Sequence, residues 1–227
     1  MMALALSGGK DSMACLLLMR ERLDCAIYVD TGYAYPETRE MINYASSLIT
    51  VHVVKADRAA QNAAYGIPAD VVPINWTAIG QRMTTPKPVM IQSYLQCCYE
   101  NIAQPLYAKA HALGVTHLVT GQRHDEPHKS TSIDGSLVEG IVRVHPLEEW
   151  TAEQVLDYLH LQMEVPPHFY FAQSSLDCYD CPAYEQQSRD RVAWMQERYP
   201  DAYQAYLIRR AAVTTALTES LQEGCAV

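Results

Sequence analysis

The apolar run Leu4-Ala5-Leu6 passes directly into Ser7-Gly8-Gly9-Lys10-Asp11-Ser12 and then into Met13-Ala14-Cys15-Leu16-Leu17-Leu18-Met19. A buried strand that turns through a glycine pair into a helix restricts the chain to an α/β fold. Gly8 and Gly9 let the backbone approach a ligand closely, and the unpaired N–H groups that open the following helix favour an anion. Ser7, Lys10 and Ser12 add donors. The spacing is not that of the Walker loop, in which Lys-Ser/Thr follows a longer glycine-bounded turn. Alone, the segment also reads as a plain glycine turn. Its apolar flanks on both sides point instead to a nucleotide phosphate.

The same alternation continues downstream. Apolar runs at 3–6, 25–30, 50–54, 116–120 and 141–145 predict strands buried on both faces. Helices are predicted at 11–22, at 37–48 and in one long stretch within 89–113, which Gly114 stops. The expected fold is Rossmann-like and three-layered, with a mostly parallel five-stranded sheet. Ligands of such sheets gather at the carboxyl ends of the strands, which predicts that 7–12, 30–32 and 120–123 converge on one crevice. Pro68, Pro73, Pro86 and Pro88 break up 56–88, which reads as a connecting loop or a lid carrying Arg82 and Lys87. A helical tail is expected from about residue 172, so the chain divides into 1–171, the nucleotide-binding domain, and 172–227.

Composition narrows the setting. The 227 residues are 49% hydrophobic, enough for a buried core. A formal net charge of −9 argues against broad electrostatic adhesion to nucleic acid and leaves only a local or specific contact. No apolar stretch approaches the roughly 20 residues that span a bilayer, and the opening residues lack a basic region and a small-residue cleavage site. A cytoplasmic protein with no membrane partner is expected.

Seven cysteines in such a setting do not suggest a disulfide framework. Cys15 and Cys25 sit in apolar contexts and read as core residues. The tandem Cys97-Cys98 and the later Cys178-Tyr179-Asp180-Cys181 form a constellation of soft ligands suited to iron–sulfur or zinc. Adjacent helix positions point different ways, so Cys97 and Cys98 need a distorted or terminal turn to share one centre. His124, His128 and His145 are too irregularly spaced for a metal site and read as polar lining.

These motifs together resemble the PP-loop superfamily, and within it the phosphoadenosine phosphosulfate (PAPS) and adenylyl-sulfate reductases. Ser7 to Ser12 resembles the SGGxDS pyrophosphate loop. Val29-Asp30-Thr31-Gly32-Tyr33 with Pro36-Glu37-Thr38 is similar to the family's second-strand signature beside the adenosine. Thr120-Gly121-Gln122-Arg123 is similar to its GxR segment, whose arginine grips the phosphosulfate. His145-Pro146-Leu147-Glu148-Glu149-Trp150 resembles a PLxxW segment, and Thr151 with Gln154 has capping-box spacing for the helix that follows. The tandem pair followed about eighty residues later by CxxC resembles the family's four-cysteine [4Fe-4S] signature.

The resemblance implies an adenine nucleotide held by Ser7, Gly8, Gly9, Lys10, Asp11, Ser12, Asp30, Thr31, Gly32, Gly121 and Arg123. It implies a [4Fe-4S] cluster on Cys97, Cys98, Cys178 and Cys181, with zinc as the alternative, and a catalytic set of Lys10, Arg123 and Cys225, the last in a tail position comparable to the family's nucleophile, with an incidental terminal cysteine as the alternative. The reaction implied is thiol-dependent reduction of adenylyl sulfate, or its 3′-phosphorylated form, to sulfite, with a thioredoxin-like reductant and a homo-oligomeric enzyme. The match departs from the family in two places. Pro127 and Ser130 stand where a second arginine and a serine follow GxR, and the tail Glu223-Gly224-Cys225-Ala226-Val227 lacks the ECGxH element. The intact SGGKDS supports a second reading, an ATP pyrophosphatase that uses Mg²⁺ and adenylates an acceptor, nucleic acid included, for sulfur transfer. A nucleotide-binding partner without chemistry is a third.

Overall fold

Alternate residues of the first strand enter opposite cores, Leu4 on one face of a sheet and Ala3 on the other. The computed structural model describes residues 1–126, 132–172, 177–183 and 189–225, with Gly224 and Cys225 described by backbone alone. The chain forms two units that interleave in sequence. One comprises 1–30, 34–55 and 104–177, and the other comprises 31–33, 56–103 and 178–227.

The first unit holds β1 (Met2–Ala5), β2 (Cys25–Asp30), β3 (Val51–Lys55), β6 (His117–Val119), β7 (Leu137–Val138) and β8 (Ile141–Val144), in the order β3-β2-β1-β6-β8-β7. The five expected strands are parallel to their neighbours, and β7 adds a short antiparallel edge on β8. One face packs α1 (Lys10–Met19), α2 (Pro36–Leu48) and α7 (Ala152–Gln162) through Leu16, Ile42, Val155 and Leu159. The other packs α6 (Gln104–Ala112) through Ala110 against Ile27 and Leu118. The three layers follow from strands that are apolar on both sides. Thr151 and Gln154 form the capping box of α7, and Trp150 meets Tyr158 edge-on at 5.5 Å.

The second unit pairs β4 (Ile67–Ala69) in parallel with β5 (Ile91–Ser93) and carries α3 (Arg58–Tyr65), α4 (Gly80–Met83), α5 (Tyr94–Cys98), α8 (Arg189–Arg198) and α9 (Pro200–Cys225). Its core joins Trp76, Ile91 and Ala69 to Ala216 of α9. The expected boundary cuts the chain once, at 171/172, whereas the contacts group 56–103 with the C-terminal helices. The proline-broken segment is not simply a loop, since it contains α3, β4 and α4.

The single helix expected within 89–113 is corrected in the same way. It becomes β5, α5, a π-helical turn at Tyr99–Ala103 and then α6. Pro105 has no N–H for the carbonyl of Asn101, and Asn101 Nδ2 donates to the Cys97 carbonyl at 2.9 Å, so the ladder shifts register there. Among the described residues no helix is long and apolar enough to cross a membrane.

Candidate nucleotide site and cysteine constellation

Residues 7–12 leave β1 and enter α1 through a loop tied by serines. Ser7 N–H donates to Ser12 Oγ at 3.3 Å, and Ser12 Oγ donates to the Gly9 carbonyl at 3.0 Å. Gly8 has φ +75°, the left-handed region, and a Cβ there would come 3.1 Å from Thr38 Cγ2. Gly9 caps α1 without any side-chain hydrogen bond, which leaves the first N–H groups for an anion. All six loop residues line a cavity of about 280 Å³, together with Thr38, Gly121, Gln122, Glu126, Arg143 and His168. The position at the carboxyl ends of β1 and β6, where the strand order reverses, is the ligand crevice of open α/β sheets.

Charges around this cavity are paired with one another. Lys10 Nζ lies 3.1 Å from Asp11 Oδ2. Arg123 is buried, and its guanidinium is bound by Asp11, by Asp125 at 2.8 Å and by Glu126 at 3.5 Å. It is not among the residues lining the cavity. Burial opposes the Arg123 charge, but Asp11, Asp125 and Glu126 outweigh it and hold its pKa above the ordinary value. Burial and the nearby Asp11 push the Glu126 carboxyl up. Burial pulls His168 down, against the opposing pull of Glu37, so its imidazole is neutral near pH 7. His145 is also pulled down, first by burial and then by Arg143, and sits between Thr120 Oγ1 at 2.8 Å and Ser132 Oγ at 3.3 Å.

Asp30 ends β2 opposite Lys55 and does not line the cavity. Thr31 and Gly32 belong to the second unit, where Thr31 Oγ1 is 3.5 Å from Cys178 Sγ and Tyr179 N–H donates to the Tyr33 carbonyl at 3.0 Å. His128 lies outside the described residues, as do Pro127 and Ser130. Glu126, Arg143 and His168 are cavity residues that the motifs did not single out. For Arg143 a signal existed, a lone charge inside the apolar strand Ile141-Val142-Arg143-Val144.

Cys97, Cys98, Cys178 and Cys181 occupy the second unit. Cys97 is buried near the end of α5 and Cys98 is half-buried just before the π-helical turn, the kind of distorted turn that two adjacent ligands require. Cys178 has φ 51°, and Cys181 N–H closes a tight turn on its carbonyl at 2.9 Å. Burial first, then Cys181 and Cys178, push the Cys97 thiol up to about 12, so these three sulfurs feel one another. Beside them, Arg58 is 2% exposed, 2.5 Å from Asp180 Oδ1 and 3.5 Å above the Tyr33 ring. Its Nε and Nη1 lack hydrogen-bond partners. Among the described residues no three His, Cys, Asp or Glu side chains are closed into a coordination shell. Cys225 ends the 26-residue helix α9, so a regular element reaches it, and its side chain lies outside the described residues.

Residues 1–184 match the family model described as the phosphoadenosine phosphosulfate reductase domain. No curated protein is matched. The crystal structure of PAPS reductase from Candida auris, a phosphate complex, shares the fold with 16% identity and a TM-score of 0.53, over 78% of this chain and 81% of that one. NMN synthetase from Francisella tularensis gives a weaker likeness, 14% identical with a TM-score of 0.48 over 92% of this chain and 86% of that one. FMN adenylyltransferase from Candida glabrata, in complex with ATP, is weaker still at 15% and 0.45, over 75% and 50% of the two chains. With a match across most of its length and a glycine loop lining the crevice at the sheet's reversal point, the chain belongs to the phosphoadenosine phosphosulfate reductase domain family.

Proposed function

We propose that this protein binds an adenine sulfonucleotide in the cavity of the 7–12 loop and reduces it to sulfite. The observation that carries the reading is that cavity itself. An uncapped helix start, two glycines and the Ser7 and Ser12 hydroxyls line it in a chain of this family. In the proposed reaction the Cys225 thiolate attacks the sulfur of adenylyl sulfate or its 3′-phosphorylated form. A sulfur–sulfur bond forms, the sulfur–oxygen bond to the nucleotide breaks, and the nucleoside phosphate leaves with that electron pair. A thioredoxin-like dithiol then attacks Cys225 Sγ, releases sulfite and is itself oxidised to a disulfide.

Cys97, Cys98, Cys178 and Cys181 would hold a [4Fe-4S] cluster, or zinc in its place. The fit rests on a soft donor set, on three sulfurs within electrostatic reach and on the two unpartnered nitrogens of Arg58 beside them, which suit an anionic centre. When bound, such a cluster supplies charge that tunes the sulfur chemistry.

One observation favours the second reading. Asp11 and Glu126 place carboxylates in the cavity wall, and Arg123 is taken up by carboxylates, an arrangement suited to a Mg²⁺–triphosphate. ATP would then be cleaved to pyrophosphate while an acceptor, a small molecule or a nucleic acid, is adenylated for sulfur transfer. Anaerobic incubation with adenylyl sulfate, its 3′-phosphorylated form and ATP, reading sulfite and pyrophosphate, separates the two. Dithiol-dependent sulfite that disappears in Cys225→Ser supports reduction. Pyrophosphate that requires Asp11 and an added acceptor selects the second reading, and neither product overturns both.

A further inference from the structure

Among the described residues two cations line the nucleotide cavity, and their partners differ. Lys10 is paired with Asp11 at 3.1 Å. Arg143, on β8, is only 8% exposed and has no carboxylate partner among the described residues. Its Nη1 donates to the neutral Tyr107 hydroxyl at 2.8 Å, its guanidinium carbon is 5.8 Å from the centre of that ring, and its Nε is buried without any hydrogen-bond partner. The buried Arg123, by contrast, is surrounded by Asp11, Asp125 and Glu126.

A buried guanidinium without a counter-ion is costly. Arg143 has no direct carboxylate partner among the described residues, in a cavity that an uncapped helix start also lines and to which Asp11 and Glu126 contribute carboxylates. Arg143 and the helix start favour negative charge, and a guanidinium fork matches two oxygens of a tetrahedral group.

We infer that Arg143, rather than Arg123, is the residue of this cavity that binds the ligand's tetrahedral oxyanion, either the sulfuryl group of a sulfonucleotide or a phosphoryl group of ATP. The inference rests on the reading of the cavity as a nucleotide site. Tyr107 is the positioning residue, since its hydroxyl holds Nη1 of the fork.

The test compares wild type, Arg143→Met, Arg143→Lys and Arg123→Lys. Affinity for adenylyl sulfate, ATP, adenosine, inorganic pyrophosphate and sulfate is read by calorimetry, and the melting temperature is followed with and without each ligand. Arg143→Met is expected to weaken adenylyl sulfate or ATP at least tenfold while adenosine changes less than twofold. Its ligand-free melting temperature should not fall, because a buried charge without a direct carboxylate partner among the described residues has been removed. Arg143→Lys should lie between wild type and Arg143→Met, and Arg123→Lys should leave the affinities within threefold. Loss confined to adenylyl sulfate assigns the oxyanion as sulfuryl, and loss confined to ATP assigns it as phosphoryl. Wild-type affinity in Arg143→Met, or an equal loss for adenosine, overturns the inference. Should wild type bind no adenine nucleotide, the nucleotide reading fails on its own. The inference is then decided by pyrophosphate and sulfate, whose binding must still depend on Arg143. If Arg143→Met does not fold, Arg143→Lys decides, and unchanged oxyanion affinity there overturns the inference.

Discussion

A Cβ on Gly121 would stand 2.7 Å from the carbonyl carbon of Asp11 and 2.8 Å from its Cβ. The turn after β6 therefore lies directly against the first turn of α1, and both line the cavity. Contacts this short involve backbone, which cannot rotate away, so one methyl forces the two cavity walls apart. Gly121→Ala should cost about 1–3 kcal/mol of stability, the usual range for overpacking. Nucleotide affinity should fall with it. Urea denaturation together with ligand titration checks both, and a variant with unchanged midpoint and affinity would contradict the close packing.

His168 predicts an acid limb. Its folded pKa lies below the ordinary 6.5, chiefly through burial. As pH falls through 6.5 the unfolded chain takes up a proton that the folded protein refuses, so stability is full above that value and declines below it. His145, depressed first by burial and then by Arg143, adds to the same decline. Replacing His168 with Gln should flatten the fall in melting temperature as pH drops below the ordinary histidine value of 6.5. Because His168 lines the cavity, an anionic ligand should also bind more tightly as pH falls below that value, and the Gln variant should lose that dependence.

Arg58 and Asp180 should be strongly non-additive. They are buried together, with Arg209 Nε the next cation at 3.6 Å from Asp180. Arg58→Met alone leaves the Asp180 carboxylate with only the longer Arg209 contact and should cost about 3 kcal/mol in the metal-free, reduced protein. The double variant Arg58→Met with Asp180→Leu should recover much of that loss, as expected when an ion pair is removed whole. Chemical denaturation of the four corners of the cycle measures the coupling.

The cysteines yield a spectroscopic expectation. Anaerobic reconstitution with iron and sulfide should turn the protein brown, and Cys97→Ser or Cys178→Ser should each abolish the colour. A stoichiometric zinc content with no colour would instead select a zinc site. Either metal must displace thiol protons, since Cys97 is protonated at neutral pH. Loading at pH 7 should therefore release acid into a weakly buffered solution.

Much of the architecture is legible from local pattern. The five parallel strands, the 7–12 loop and the Thr151–Gln154 capping box all lie within short stretches of chain, where periodicity and hydrogen-bonding residues act directly. The requirement for a distorted turn at Cys97-Cys98 is equally local, and the π-helical turn starting at Tyr99 supplies one. Less legible was the grouping of 56–103 with α9, because the contact of Trp76 and Ile91 with Ala216 joins segments far apart in sequence. The short β4–β5 pair was hidden for a similar reason, since three-residue strands carry too little alternation to be read.

The sequence by itself determined that a strand, a glycine loop and a helix would open an α/β sheet, since each depends on neighbours within a few residues. Which arginine is taken up by carboxylates was decided only by the tertiary structure. Asp11 and Arg123 are 112 residues apart, and only the return of the chain through β6 brings them together. Arg143 on β8 is buried without a carboxylate partner among the described residues, and a charge is available to a ligand only when the fold has not already neutralised it.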